Sequence, residues 1–462
     1  MSSFFPPVRE PKLAIRRFMG PLRDAFTTRP DGTTWARSAN TWRAALAYLE
    51  GLTRPGEHKT LRGIGKRMNL HEDAIRRFIS QSPWEHEAVQ EYLNRDIPDD
   101  FRSKTAMLIV DDVDILKKGR HSVGVSRQYA GSIGKVDNCQ VAVDLVAAVP
   151  GEARNADQLT WPLGMELYVP KPWLKDDSYA DRREQCNLPE DLEFRTKLEI
   201  ALDLLQRARA AEVPHACIGA DAAYGGSHSF RAQLRDWNEP YIVGIKPSKL
   251  QVVPATSPED AGPRVRSRPR TEVGDESQIL SAVELAKQLH NWTEVEWSEG
   301  TKGTLSAAVA RRWVTVVKQT NAGIEIQEQG WLVLEKQGTE LKGWLCWSVE
   351  DWSVEELVTY AHMRWPIEQF HKDAKQVLGL NQFEGRTWKG WNHHVAVVLL
   401  TYAFIATQRA AHGAVAENLP PFSRVARALV IEAATQTAQR RGLARQKATE
   451  VAEDFIRGYT DW

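Results

Sequence analysis

The sequence predicts a mixed α/β fold, a sheet flanked by helices, with a basic helical segment ahead of it. Three observations carry that expectation. Apolar runs rich in β-branched residues follow one another as strands at TAMLIVDD (105–112), HSVGVSRQYAG (121–131) and NCQVAVDLVAAV (138–149). Helical and strand patterns then alternate, from TKLEIALDLLQRARAAEV (196–213) through ACIGAD (216–221) and SHSFRAQLRDW to YIVGIK (241–246). Finally, residues 1–80 combine helical apolar spacing with fifteen Arg and Lys against seven acids, a local balance of +8.

The basic segment comes first. TWRAALAYLEGL (41–52) has helical spacing and ends near Gly51. KTLRGIGKRMNLHEDAIRRFIS (59–80) reads as two short helices about a turn near Asn69. Leu61, Ile64, Met68, Ile75 and Phe78 should point inward, and Arg76 and Arg77 outward. This is a helix-turn-helix pattern without its usual turn glycine, and its second helix has the character of one that enters a major groove. Beyond the strands of the central part, 252–277 is rich in Pro, Gly, Ser and charge and reads as a long loop. RRWVTVVK (311–318), GWLVLEK (330–336) and GWLCWSV (343–349) look like a small separate sheet. A helical pattern over 354–378 and an apolar helix from about His394 to Ala411 follow. The expected division is a helical domain over 1–100, a core in two parts over 101–250 and 351–412, a β-rich insertion over 251–350, and a helical tail over 413–462.

Composition narrows the function. Of 462 residues, 42% are hydrophobic and 26% charged, enough for a sizeable core and against disorder of the bulk. The longest apolar stretch, after His394, is interrupted by Thr401 and Tyr402 and reads as too short to span a bilayer. The first residues lack the continuous apolar region of a signal peptide, so a cytoplasmic protein is expected. Cys139, Cys186, Cys217 and Cys346 lie far apart with no C-x-x-C pair, which argues against a zinc ribbon or a disulfide framework. Lys plus Arg and Asp plus Glu number 60 each, so only the uneven distribution of charge points to nucleic acid. No G-x-x-x-x-G-K-S/T loop is present. His393-His394 lacks a carboxylate at ligand spacing and reads as a helix-end cap. Among the seventeen Trp, Trp347, Trp365 and Trp388 are candidates for base stacking.

Carboxylates carry the chemical expectation. Asp111-Asp112 ends one apolar strand, Asp221 ends another, and Glu368 falls inside a helical pattern. Acids at the ends of neighbouring strands can converge beyond a sheet edge, and carboxylate oxygens are the hard ligands that Mg²⁺ prefers. Two such ions about 4 Å apart can activate a water and stabilise the leaving oxygen of a phosphodiester. In VTYAHMRWPIEQFHKDAKQVLGL, Tyr360, Arg364, Glu368 and Lys375 fall at about 0°, 40°, 80° and 60° around a continuous helix, one narrow face. Arg364 and Lys375 would hold phosphates while Glu368 holds metal.

YAHMRWPIEQFHKDAK resembles the Tyr-Arg-Glu-Lys signature of insertion-sequence DDE transposases, with Y-x3-R-x3-E-x6-K here against the family's Y-x2-R-x3-E-x6-K. VDDVDILKKGRHSVGVSRQYAGSIGKVDNCQVAV, FRTKLEIAL, GADAAYG and GLNQFEGRTWKGWNHH are similar to stretches of one branch of that family. The resemblance spans about residues 100–410. It implies an RNase H-like core with Asp112, Asp221 and Glu368 as catalytic metal ligands, Mg²⁺ as cofactor and Mn²⁺ as a possible substitute. Asp112 is preferred to Asp111 because the family's first acid is commonly followed by Thr or Ser, although Val113 and Asp114 stand here. Adjacent strand residues face opposite ways, so only one of the pair should face metal. The 147 positions from Asp221 to Glu368 match the β-rich insertion of this group. The resemblance further implies double-stranded DNA, both transposon ends and target, as partner, contacted by Tyr360, Arg364 and Lys375, and a homodimer on DNA; Arg76 and Arg77 are expected to contact DNA on the strength of the basic helix-turn-helix segment. A transposase-derived regulator that only binds DNA, and a metal-dependent nuclease that does not join, are the alternatives.

Overall fold

The computed structural model describes residues 10–29, 31–54, 58–151, 158–255, 278–298, 304–321, 323–413 and 419–457. The chain opens with helices α1 (Pro11–Met19), α2 (Arg23–Thr27), α3 (Ser38–Thr53), α4 (Leu61–Arg67), α5 (Glu72–Ser80) and α6 (His86–Arg95). Strands β1 (Met107–Leu116), β2 (Ser126–Ala130), β3 (Lys135–Val149) and β4 (Leu159–Tyr168) come next, then α7 (Lys171–Lys175), α8 (Ala180–Gln185) and α9 (Lys197–Ala210). Next are β5 (Cys217–Ala220), α10 (Ala222–Gly225), α11 (His228–Asp236), β6 (Tyr241–Ile245) and β7 (Gln251–Ala255). The β-rich part adds β8 (Leu280–Ser281), α12 (Ala282–Gln288), β9 (Thr293–Ser298), β10 (Thr304–Thr320), β11 (Gly323–Gln337) and β12 (Glu340–Trp347). Helices α13 (Val354–Ala361), α14 (Trp365–Gln376), α15 (Trp388–Gly413), α16 (Phe422–Gln439) and α17 (Arg445–Arg457) are the last elements of the described residues.

The described strands form one 12-stranded mixed sheet, ordered β2-β3-β1-β5-β6-β12-β11-β10-β7-β8, with β4 also on β3 and β9 on β10. β1 runs antiparallel to β3 and parallel to β5, and β5 runs parallel to β6. This helix-flanked mixed sheet is consistent with an RNase H-like fold. Near-continuous apolar sequence in β1 and β5 follows from burial on both faces. The ends of α9, α12 and α13 are set locally: Thr196, Ser281 and Ser353 each cap the third helical amide, and Glu199, Glu284 and Glu356 return the bond.

The expectation of a separate small sheet over 252–350 is not met. β12 pairs with β6 along Gly343–Trp347, so β10, β11 and β12 extend the sheet that carries β1 and β5. A buried ion cluster fixes the join. Arg231 and Arg235 of α11 both contact Glu328 of β11, and Tyr241 Oη donates to Glu328 Oε2 at 2.8 Å. Of the expected loop, 252–255 belongs to β7, and the rest lies outside the described residues.

Within the basic segment, residues 59–80 fold as two short helices, α4 and α5. Asn69 takes φ 52° at the turn, supplying the left-handed residue usually provided by glycine. Ile64, Ile75 and Phe78 are buried, Leu61 and Met68 half-buried, and Arg76 and Arg77 exposed. These helices share the core of the sheet through α15. His393 stacks on Trp84 at 3.7 Å between ring centres, and its ring nitrogens lie 2.8 Å from the carbonyls of Ile79 and Trp84. His393 and His394 are therefore interior residues of α15 and not its cap. α15 is also longer than expected: its 26 residues are long and apolar enough to cross a membrane, yet most of it is buried among α3, α5, α6, β4 and α16. All four cysteines are free and buried.

His394 makes stability sensitive to acid. Its Nδ1 lies 2.8 Å from Tyr48 Oη, and burial pushes its pKa down to about 3. The unfolded chain therefore binds this proton first as pH falls from 6.5. The stabilising effect is complete above that pH and shrinks by about 1.4 kcal/mol per unit toward pH 3. Urea midpoints at pH 7.5 and 5.5 should converge more for His394→Gln than for the native protein.

Candidate functional site

β1 delivers two adjacent acids to opposite faces of the sheet. Asp111 pairs across from Asp144, and Asp112 across from Val143. Asp111 faces α14, where Arg364 Nη1 donates to its Oδ2 at 2.9 Å, while Nη2 of the same guanidinium contacts Glu368 Oε1. Asp112 faces the other way, its carboxylate held by Lys197 Nζ at 2.5 Å and by Tyr224 Oη. Strand alternation, a two-residue repeat, accounts for the difference. The structure thus brings Asp111, and not the expected Asp112, beside Arg364 and Glu368.

Asp221 follows β5 directly and caps α10, accepting from Ala223 N at 2.8 Å and Tyr224 N at 3.3 Å. The glycine after Tyr224 allows α10 to lie against β6: a Cβ on Gly225 would sit 2.1 Å from the Gly244 carbonyl oxygen. Asp221, Arg364 and Glu368 line a cleft of about 540 Å³, together with Lys246, Lys342, Trp344 and Trp365. The acids also sense one another. Burial raises Asp111 to about 6 against the opposing influence of His371 and Arg364, and the charge of Asp221 adds to the rise. Burial disfavours the Arg364 charge, but Asp111, Glu368 and Asp221 outweigh it and hold the guanidinium above its ordinary pKa.

The expected single helix is broken. α13 ends at Ala361 and α14 begins at Trp365, with Pro366 in its first turn. The turn between them is fastened to the β-rich segment: His362 Nε2 lies 2.6 Å from buried Glu335, and its ring stacks on Trp297 at 4.2 Å. Tyr360 consequently leaves the shared face, and its hydroxyl donates to the Thr105 carbonyl at 2.7 Å. Lys375 remains on α14 with Glu368, its Nζ 3.9 Å from Asp114. Arg76 lies on α5, where it donates to Asp73 at 2.6 Å, with Arg77 beside it in sequence.

Sequence reasoning missed Asp144 and His371. His371 Nε2 lies 2.9 Å from both carboxylate oxygens of fully buried Asp144. Burial opposes charge on His371, but Asp144 and then Asp111 raise its pKa. The available signals were an acid inside the Val-rich β3 and a His three residues after Glu368 on one helix face. Lys197 and Tyr224 fall inside FRTKLEIAL and GADAAYG, yet nothing in those segments alone shows that both reach Asp112.

A family model described as DDE superfamily endonuclease matches residues 22–304, more than half of the chain. The chain belongs to the DDE superfamily endonucleases. It is also 30% identical over 205 residues to the "Probable transposase for insertion sequence element IS701" of Microchaete diplosiphon, an alignment covering 44% of this chain and 48% of that protein. The chain thus spans about half the length of this curated relative.

DDE superfamily nucleases generally depend on divalent metal ions. Among the described residues, no three His, Cys, Asp or Glu side chains are grouped closely enough to hold a metal ion. The charge pattern nevertheless fits a cation. The Arg364 guanidinium bridges Asp111 and Glu368 and feels the charge of Asp221, so the three carboxylates together favour a positive group there. Their oxygens are also the donor type that Mg²⁺ and Mn²⁺ take.

Proposed function

We propose that this DDE endonuclease is a transposase that cuts DNA at the ends of a mobile element and joins them to target DNA. Its carboxylate set is Asp111, Asp221 and Glu368, with Asp111 taking the role that the family resemblance first assigned to Asp112. The observation that carries this reading is the cleft in which Asp221, Glu368 and Arg364 meet beside Asp111. Divalent ions held there, Mg²⁺ foremost, would activate a water and stabilise the leaving oxygen of a phosphodiester. Arg364, which contacts Asp111 and Glu368, would hold the scissile phosphate beside them. Lys375, Lys246 and Lys342 add positive charge along the strand. The Tyr-Arg-Glu-Lys pattern then divides its work: Tyr360 anchors α13 to the segment before β1, and the other members face the cleft and its flank. A 3′-hydroxyl left by the first cut is the nucleophile for joining. Bringing two ends together calls for at least two copies of the chain on DNA.

Asp112 has a supporting part in this reading. Lys197 ties it to α9, and Tyr224 ties it to the helix that starts at Asp221. The acid thereby couples the middle of β1 to the end of β5 from behind the site.

Purified protein with Mg²⁺ and end-labelled duplexes carrying the genomic flanks of its gene tests the proposal. Discrete cuts leaving 3′-hydroxyls, followed by joined products, are expected. Cuts without joined products would favour a simple nuclease, and binding without cuts a regulator. The helix-turn-helix segment is the proposed end-binding element. Arg76→Ala/Arg77→Ala should weaken duplex binding and reduce the slope of log affinity against log salt by about 1.8. An unchanged slope in a mobility-shift titration would move recognition elsewhere.

A further inference from the structure

The hairpin formed by β2 and β3 carries apolar groups on its outside. Tyr129 is 64% exposed and Val136 52%, and the two are directly paired across the strands. Ile133 at the tip and Leu116 at the end of β1 are exposed as well. β2 is a short strand at one end of the sheet, a place where uncovered apolar groups invite unwanted association. Charge accompanies them. From 115 to 137 the chain carries Lys117, Lys118, Arg120, Arg127 and Lys135 against one acid, Asp137.

The hairpin is held firmly to β1, the strand that carries Asp111. Ser132 at its tip donates to Asp114 of β1 twice, from N at 3.0 Å and from Oγ at 2.5 Å. At its base, Asn138 Nδ2 donates to the carbonyls of Lys117 and Gly119 at 2.6 and 2.9 Å, and Lys117 Nζ reaches the Phe383 carbonyl at 2.7 Å. Asp114 also lies 3.9 Å from Lys375 Nζ, on the helix that carries Glu368. Asp114 stands three residues beyond Asp111 along β1, roughly 10 Å at about 3.3 Å per residue, and, being an odd step away, shares the face of Asp112, from which it still comes within 3.9 Å of Lys375. That is about three base-pair steps of duplex DNA at about 3.4 Å each.

We propose that the β2–β3 hairpin is a DNA-contacting wedge: Tyr129, Ile133 and Val136 lie against bases about three steps from the cut, and Arg127 and Lys135 hold the adjoining phosphates. The assignment rests on the DNA-cutting reading above. Excess positive charge decides for DNA over a second copy of the chain, because two such hairpins would repel. An aromatic ring flanked by basic side chains is the combination that stacks on bases while following the backbone, and apolar side chains of this size wedge between base steps.

The test uses the full-length protein in Ca²⁺ and a fluorescein-labelled 40-bp duplex from the gene's flank. Tyr129→Ser/Val136→Ser should bind about tenfold more weakly with an unchanged melting temperature, and Tyr129→Phe should bind as the native protein does. Arg127→Ala/Lys135→Ala should lower the salt slope by about 1.8. A photo-crosslinking aromatic at position 129 should attach to the DNA, whereas one at exposed Val451 on α17 should not. Native affinity in the Ser double variant, with crosslinks only to another copy of the chain, would overturn the wedge and leave the endonuclease reading standing. Failure of the native protein itself to bind the duplex would overturn both.

Discussion

Glu368→Gln and Asp221→Asn proteins will bind flank DNA with nearly native affinity and will not cut it. Each substitution keeps an oxygen in place but removes a charge that would hold a divalent ion. The loss should exceed the 10–100-fold typical of a group that only supports a metal ligand. Structural collapse should not confuse the result. Glu368 is about half exposed, its side chain at 49%, and its contact is to Arg364 one turn earlier. Asn at 221 keeps a side-chain oxygen to cap α10, as Asn does well. Cleavage by end-labelled gel and binding by anisotropy, measured on the same preparations, separate the two effects. Equal cutting by native and Glu368→Gln protein would remove the basis of the proposed site.

The second large effect concerns stability. The Glu328 side chain is 2% exposed and faces that of Arg231, 1% exposed, together with Arg235. Glu328→Ala leaves two cations without their carboxylate in a place water reaches poorly. Breaking one side of a buried pair costs about 3–5 kcal/mol. Because β11 lies in the same sheet as β1 and β5, the lower urea midpoint should appear in a single transition followed by tryptophan fluorescence. An early, separate transition in the variant would mean that the β-rich segment unfolds as its own unit.

Local elements were legible in the sequence, and long-range pairing was not. TAMLIVDD and ACIGAD showed their character through short apolar runs ending in acids, and both are strands at the site. The helices of the basic segment were readable because Ile64, Ile75 and Phe78 repeat at helical spacing. GWLCWSV was legible as a strand but its partner was not. Pairing with YIVGI across roughly a hundred residues is set by long-range packing, which local pattern does not encode. The break at His362–Arg364 was partly legible in Pro366, whose missing amide proton suits a first helical turn. Its other cause, the His362–Glu335–Trp297 contact, arises only once β9 and β11 are in place. The choice between Asp111 and Asp112 turned on register. Sequence said that one must face away, and only the pairing with β3 and the docking of α14 say which.

Asp111 and Asp112 therefore provide the most direct test of the account. Asp111→Asn and Asp112→Asn proteins should be compared side by side for Mg²⁺-dependent cutting of the same flank duplex, with binding and melting temperature as controls. Asp111→Asn should bind DNA and lose more than about 100-fold of the cutting rate, beyond the effect of a merely supporting group. Asp112→Asn should keep the larger share of it, since its carboxylate meets Lys197 and Tyr224 on the opposite face of the sheet. Loss of cutting in Asp112→Asn with near-native cutting in Asp111→Asn would contradict the site described here.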